Sequence, residues 1–159
     1  MPIERVFLLP DKVRAYPETL RAILEADLIV AGPGSLFTSV LPNLLVEDLT
    51  KAIRASRAWK VYVCNVATQK GETDGFGVGD HIEALQRHVG RDVFHYVLVN
   101  DNFNVKLNPN TELVSLDCEA GEGYQVMSAD VIDLQKPWRH DPQKLARSLM
   151  NFYHSQRGS

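Results

Sequence analysis

Short apolar runs alternate along this chain with longer amphipathic stretches, and the change of period between them predicts the elements. Leu28-Ile-Val-Ala31, Trp59-Lys-Val-Tyr-Val-Cys64 and the run from Val93 to Val99 are compact and rich in β-branched and aromatic residues, which predicts strands. The unbroken run at 28–31 has the composition of a strand covered on both faces, as in a parallel sheet. Val6-Phe-Leu-Leu9, stopped by Pro10, predicts an earlier strand. Between these runs the apolar spacing becomes helical. Pro17 suits a first helical position, Glu18 sits near the positive end of that helix, and Leu20, Ile23 and Leu24 form its stripe. Pro42 would clash inside a long helix, so a short helical turn over 36–41 and a fresh segment marked by Leu49, Ala52, Ile53 and Ser56 are expected. Asp80 can cap a helix that carries Ile82, Leu85 and Val89 on one face and ends at Gly90. Asp141-Pro142 opens the last helix, with Leu145, Leu149 and Phe152 as its stripe.

Strand, helix and strand in the first 31 residues predict a right-handed crossover, the unit of a parallel α/β sheet. Leu113–Leu116, Gln125–Met127 and Val131–Leu134 read as short strands, some of them antiparallel, at one sheet edge. The expected fold class is α/β: a three-layer, mainly parallel sheet with helices on both faces and short edge strands near the C-terminus. A length of 159 residues suits a single α/β domain.

Chemistry gathers where the strand at 28–31 runs into Gly32-Pro-Gly-Ser35. Gly32 and Gly34 allow another group to approach the backbone closely, and Ser35, Thr38 and Ser39 place hydroxyls beside the free N–H groups of a helix start. That combination suits an anion, so a phosphate-bearing ligand outside the carboxyl end of a parallel strand is the first expectation. An ordinary strand-to-helix turn with Ser35 as N-cap remains the alternative. Neither a P-loop nor a nucleophile elbow is present, because the loop has no Lys and Pro33 stands where the elbow needs its first Gly. Asn65 follows the strand 59–64. The loop 67–79, with Gly71, Gly75, Gly77 and Gly79 among polar residues, is a candidate lid at the same edge, or a plain solvated loop. His81 and His88, seven apart, fit surface or capping roles better than a metal pair, and the acidic residues from Asp117 to Glu122 fit a solvated turn. No metal site is assigned.

Composition narrows the classes. Hydrophobic residues at 45%, charged residues at 23% and a net charge of −3 leave no basic excess to attract nucleic acid or an anionic membrane. No apolar run approaches the roughly 20 residues of a membrane span, and Met1-Pro-Ile-Glu-Arg5 is unlike a signal peptide, so a cytoplasmic location is expected. Cys64 and Cys118 belong to no Cys-x-x-Cys pair and are read as reduced.

Gly32-Pro-Gly-Ser-Leu-Phe-Thr-Ser39, continuing into Leu41-Pro-Asn-Leu-Leu-Val46, resembles the signature of the bacterial gluconeogenesis-factor family, a branch of the 2-phospho-L-lactate transferase-like superfamily. Val61-Tyr-Val-Cys-Asn65, Thr68-Gln-Lys-Gly-Glu-Thr73, Asp80-His81-Ile82, Val97-Leu-Val-Asn100 and Arg139-His140-Asp141 extend the resemblance in order. Members of that family begin with a strand and a Gly-Gly-Gly-Thr-Gly loop, which these residues lack, so the resemblance implies the C-terminal part of a larger Rossmann-like domain. It implies a nucleotide or nucleotide-sugar binding protein that links carbon metabolism to cell-wall synthesis and cell shape. The cradle would be Gly32, Gly34 and Ser35, supported by Thr38 and Ser39. Asn65, Thr68, Gln69, Glu72 and Thr73 would close over the ligand, with Asn65 and Gln69 reading a base or sugar and Glu72 accepting from hydroxyls or helping to hold a metal. Mg²⁺ could accompany the ligand, and a homodimer is left open. The alternative is an enzyme similar to 2-phospho-L-lactate transferase, moving a phospholactyl group from a nucleotide donor. The cation-free glycine loop and Leu36-Phe37, where the transferase branch carries a more polar Asn-Pro-containing loop, disfavour it, and no catalytic residue is assigned.

Overall fold

A computed structural model of the chain describes residues 3–118, 120–121 and 123–157. The elements run α1 (Pro17–Glu25), β1 (Leu28–Ala31), a π-helical turn (Leu36–Val40), α2 (Leu41–Leu44), α3 (Glu47–Ala55), β2 (Trp59–Val63), α4 (Val78–Val89), β3 (Tyr96–Asn100), β4 (Ala120–Gly121), β5 (Tyr124–Ala129) and α5 (Pro142–Arg157). The sheet order is β1-β2-β3-β5-β4. The first four strands in that order pair in parallel, and the two-residue β4 is antiparallel to β5. Four parallel strands with helices between them make this the expected α/β fold.

Side-chain alternation along the strands divides the core in two. Tyr62, Cys64, Val97 and Val99 point to one face, where they meet Leu36, Phe37, Leu41, Ile53, Ile82 and Leu85 from the helices between β1 and β3. Val61, Val63, Leu98 and Met127 point to the other, against Leu145, Leu149 and Phe152 of α5. Helices therefore cover both faces. Pro42 falls in the first turn of α2, where its missing N–H costs nothing, and a separate α3 follows.

The structure differs from the sequence expectation in several places. Val6–Leu9 form no strand: Phe7 and Leu9 are 78% and 91% exposed, and the segment is pinned by Ile3 N–H on the Glu72 carbonyl at 3.0 Å and Val6 N–H on His88 Nε2 at 3.1 Å. The first crossover is consequently absent, and α1 simply precedes β1. β1 is an edge strand, its four residues only partly buried, because β2 is its sole neighbour among the described residues. Leu113 and Ile132 make isolated bridges to Ala67 and His140 in place of short strands, and the 125–127 segment is instead part of β5, parallel to β3. Asp80 does not cap from outside: α4 starts at Val78, and Asp80, in its first turn, accepts the Gly77 N–H at 2.8 Å. Of the acidic turn, Asp117 accepts the Gly79 N–H at 2.8 Å, while residues 119 and 122 lie outside the described residues.

Phe37 is the keystone of the larger core. It is 1% exposed and meets the rings of Phe76 and His88 edge-on, at centroid distances of 6.2 and 6.0 Å. Phe37→Ala removes that whole ring from a close-packed site, so the loss should be about 3–5 kcal/mol. Urea denaturation measures it; a loss under about 1 kcal/mol would mean that the core closes over the gap.

Candidate functional site

The carboxyl ends of β1 and β2 open into a cleft of about 730 Å³, lined on one side by Pro33, Gly34, Ser35 and residues 65–69. Its size lies within the range of about 300–1,000 Å³ typical of small-molecule sites. Local backbone chemistry shapes this wall. Gly32 has φ +95°, and a Cβ there would lie 3.0 Å from the Val63 carbonyl oxygen, so only glycine lets the chain leave β1 this close to β2. Gly34 has an ordinary φ, and a Cβ on it would meet Ser39 Cβ at 3.2 Å.

Hydrogen bonds tie the two loops together. Gln69 Nε2 donates to Ser35 Oγ at 2.6 Å, and Asn65 Nδ2 donates to Gln69 Oε1 at 3.1 Å. Ser35 does not cap the following turn with its side chain; its carbonyl accepts from Ser39 and Val40 N–H, and its hydroxyl hydrogen stays available to the cleft. Both ends of the Gln69 amide are engaged within the protein, so its first role is to hold the loops in register. Thr73 is fully buried, its hydroxyl accepting the Gln69 N–H at 2.8 Å, which makes it a support for the loop. Thr38 donates to Glu72 Oε1 at 3.4 Å, and Glu72 Oε2 is buried without a partner among the described residues.

The ten expected residues thus fall into three groups. Gly34, Ser35, Asn65, Thr68 and Gln69 line the cleft. Gly32 and Ser39 line an adjoining pocket of about 390 Å³ along β1, together with Gly34. Thr38, Glu72 and Thr73 line neither: Thr38 is exposed, Glu72 half-buried and Thr73 buried. Among the described residues no group of three His, Cys, Asp or Glu side chains could hold a metal ion.

A further wall comes from residues that local sequence did not single out as a site: Trp138, Arg139 and His140, then Pro142, Leu145, Ala146 and Leu149 of α5. Arg139 is the only permanently charged residue lining the cleft, which gives it a net positive character. The sole sequence signal was the short Arg139-His140-Asp141 match. His140 Nε2 donates to the Cys64 carbonyl at 3.0 Å, docking this wall onto the end of β2. Asp141 Oδ1 accepts from the Gln143 and Lys144 N–H groups, and Lys144 Nζ pairs with Asp130 at 2.9 Å, so α5 is anchored where it begins.

Two histidines are held neutral. Burial pushes His140 below the ordinary imidazole range, against the opposing pull of the Cys64 carbonyl. His81, expected at the surface, is fully buried: Nδ1–H donates to the Gly77 carbonyl at 2.8 Å, and Nε2 has no partner among the described residues. Burial again lowers its pKa, outweighing the Gly77 carbonyl and the carboxylates of Asp80 and Asp117. Burial pushes the Cys64 thiol up, so no nucleophilic thiolate forms there.

Two outcomes follow from this geometry. Gly32→Ala should cost at least about 1–2 kcal/mol through its left-handed backbone alone, while Gly34→Ala costs less, as judged by denaturant midpoints; the reverse order would overturn the assignment. Because the folded pKa values of His81 and His140 lie below about 6.5, the unfolded chain takes up these protons first. Stability is therefore intact above that pH and declines below it, toward the lowered folded values. His81→Phe should lose less stability than the parent between about pH 7.5 and 5.5. Equal losses in thermal melts would show that His81 contributes nothing to the acid response.

Residues 1–132 match the family described as 2-phospho-L-lactate transferase CofD. The putative gluconeogenesis factor of Clostridium acetobutylicum is 42% identical over 158 residues, covering 94% of this chain and 35% of that protein. The gluconeogenesis factor of Bacillus subtilis is 39% identical over 158 residues, covering 94% of this chain and 50% of that protein. The crystal structure of a UPF0052 family protein from Bacillus halodurans superimposes with a TM-score of 0.82 at 37% identity, over 94% of this chain and 51% of that one. The chain accordingly spans a third to a half of the length of these relatives. With the α/β fold and the ordered blocks from Gly32 onward, the match places the chain among known sequences: it belongs to the CofD family, where gluconeogenesis factors are among its relatives.

Proposed function

We propose that the cleft binds the phosphate-bearing part of a nucleotide or nucleotide sugar, and that the protein is a cytoplasmic binding and regulatory module linking carbon metabolism to cell-wall synthesis and cell shape. The observation that carries this reading is that Arg139, the one permanently charged residue among those lining the cleft, shares that lining with the Gly34-Ser35 turn. A guanidinium offers a planar fork of donors that matches a phosphate, and the Ser35 hydroxyl adds one more. The names of the relatives support the metabolic side of the reading. No helix among the described residues is long and apolar enough to cross a membrane. Magnesium, if used, would arrive with the ligand's phosphates, since no group of three His, Cys, Asp or Glu side chains among the described residues could hold the ion by itself.

Residues 1–159 are best read as one α/β unit of a larger Rossmann-like domain. The support is physical: β1 has one neighbour among the described residues, and the apolar side chains Ile23, Ile29, Val40 and Leu44 line the pocket along it. A further strand and helix from the other half of a full-length relative would cover both. The second functional reading is a transferase that moves a phospholactyl group from a nucleotide donor, and it draws on the family's description.

Ligand binding and turnover separate the two readings. Uridine-diphosphate glucose at 100 times its dissociation constant should stabilise the protein by about 2.7 kcal/mol in thermal melts, with no product formed. Arg139→Ala, an exposed change, should abolish most of that shift while leaving the ligand-free melting temperature unchanged. Absence of any shift would remove the binding reading, and deazaflavin-dependent release of guanosine monophosphate from a lactyl-diphospho-guanosine donor would establish the transferase.

A further inference from the structure

We infer that Trp138 is a stacking platform for the ligand's nucleobase, an inference that rests on the nucleotide reading of the same cleft. Trp138 is 48% exposed, and half of a large aromatic surface left in water is unusual for a residue on a firmly anchored turn. The anchoring is specific. Asp133 N–H donates to the Arg139 carbonyl at 3.0 Å, Arg139 N–H donates to the Lys136 carbonyl at 2.9 Å, and Ile132 pairs with His140 in a bridge. His140 in turn binds the Cys64 carbonyl, so the backbone on both sides of Trp138 is fixed against the sheet. Such a ring stands ready in its binding position and loses little freedom on contact.

The cleft is also chemically divided. Ser35, Asn65, Thr68 and Gln69 bring polar groups to the part formed by the two loops, beside the apolar Pro33, Val66 and Ala67, while Pro142, Leu145, Ala146 and Leu149 make the α5 part next to Trp138 wholly apolar. A nucleotide has the matching division, an anionic phosphate at one end and a flat, weakly polar base at the other. Arg139, the adjacent residue, is the cation for the first, and the indole and the apolar helix wall suit the second. Trp138 stacks on no other aromatic ring among the described residues, so its face is not already in use. Because every base has a π-face, stacking here would favour nucleotides over base-free phosphates while discriminating little between bases.

The chain's two tryptophans allow a direct reading. Trp59 begins β2, at the opposite end of the strand from the cleft, and stacks on Tyr96 at a centroid distance of 4.7 Å, so Trp59→Phe keeps a ring there and leaves Trp138 as the sole indole reporter. In that background uridine-diphosphate glucose and guanosine-diphosphate mannose should both quench the emission, and inorganic pyrophosphate should not. Calorimetry on the otherwise unaltered chain supplies the energetic arm. Trp138→Ala should weaken both nucleotide sugars by about tenfold and leave pyrophosphate unchanged, while Trp138→Phe recovers most of the loss. Nucleotide-sugar binding without quenching, or an affinity that Trp138→Ala leaves unchanged, overturns the stacking platform and leaves the nucleotide reading standing. Failure of the unaltered protein to bind any of the three probes overturns both.

Discussion

The carboxyl end of β2 is the point on which the rest of the site depends. Its Cys64 carbonyl receives the His140 imidazole from 76 residues downstream, and the Asn65–Gln69 segment that follows grips Ser35 through an amide, 34 residues upstream of Gln69. Three segments remote in sequence are thereby held around one opening. β2 can serve as this anchor because it is the second strand of a parallel sheet, with Tyr62 buried on one face and Val61 and Val63 on the other. A strand packed on both sides does not shift when a ligand arrives, so the groups hung from its end keep their spacing.

That rigidity explains the division of labour among the polar side chains. Gln69 and Thr73 spend their hydrogen bonds inside the protein, which lets Ser35 keep a donor for the cleft. Arg139 lines the same cleft as the glycine turn and contributes positive potential where no carboxylate is among the lining residues. The same cleft carries an apolar stretch, formed by Leu145, Ala146 and Leu149 of α5.

Buried polar groups elsewhere carry a cost that the fold accepts. His81 is sealed between Phe76, which it meets edge-on at 5.5 Å, and the start of α4, and it stays neutral because a charge there would have no water to solvate it. Lys60, 4% exposed, lies in a similar position, its pKa lowered by burial and its Nζ donating to the Arg54 carbonyl at 3.3 Å. Lys60 thereby ties β2 to the end of α3, while His81 closes the first turn of its own helix.

The chain's own pattern determined the strands at 28–31 and 59–64, the helices opened by Pro17 and Pro142 and the glycine turn after β1, because each depends on residues within a few positions of one another; the break expected at Pro42 falls instead after Leu44, with Pro42 inside α2. The same local signals misled at Val6–Leu9, where an apolar run has the composition of a strand but finds no partner strand among the described residues, and at His81, whose burial is set by Phe76 and by the packing of α4 on the sheet. Tertiary structure alone decided that β1 is an edge strand, that Gln69 clasps Ser35 and that Thr73 faces inward. It also brought Trp138, Arg139 and His140 to the cleft. Hydrogen bonds and packing across 34 to 76 residues leave no periodic trace in the sequence, since they depend on where the sheet delivers the ends of its strands rather than on spacing along the chain.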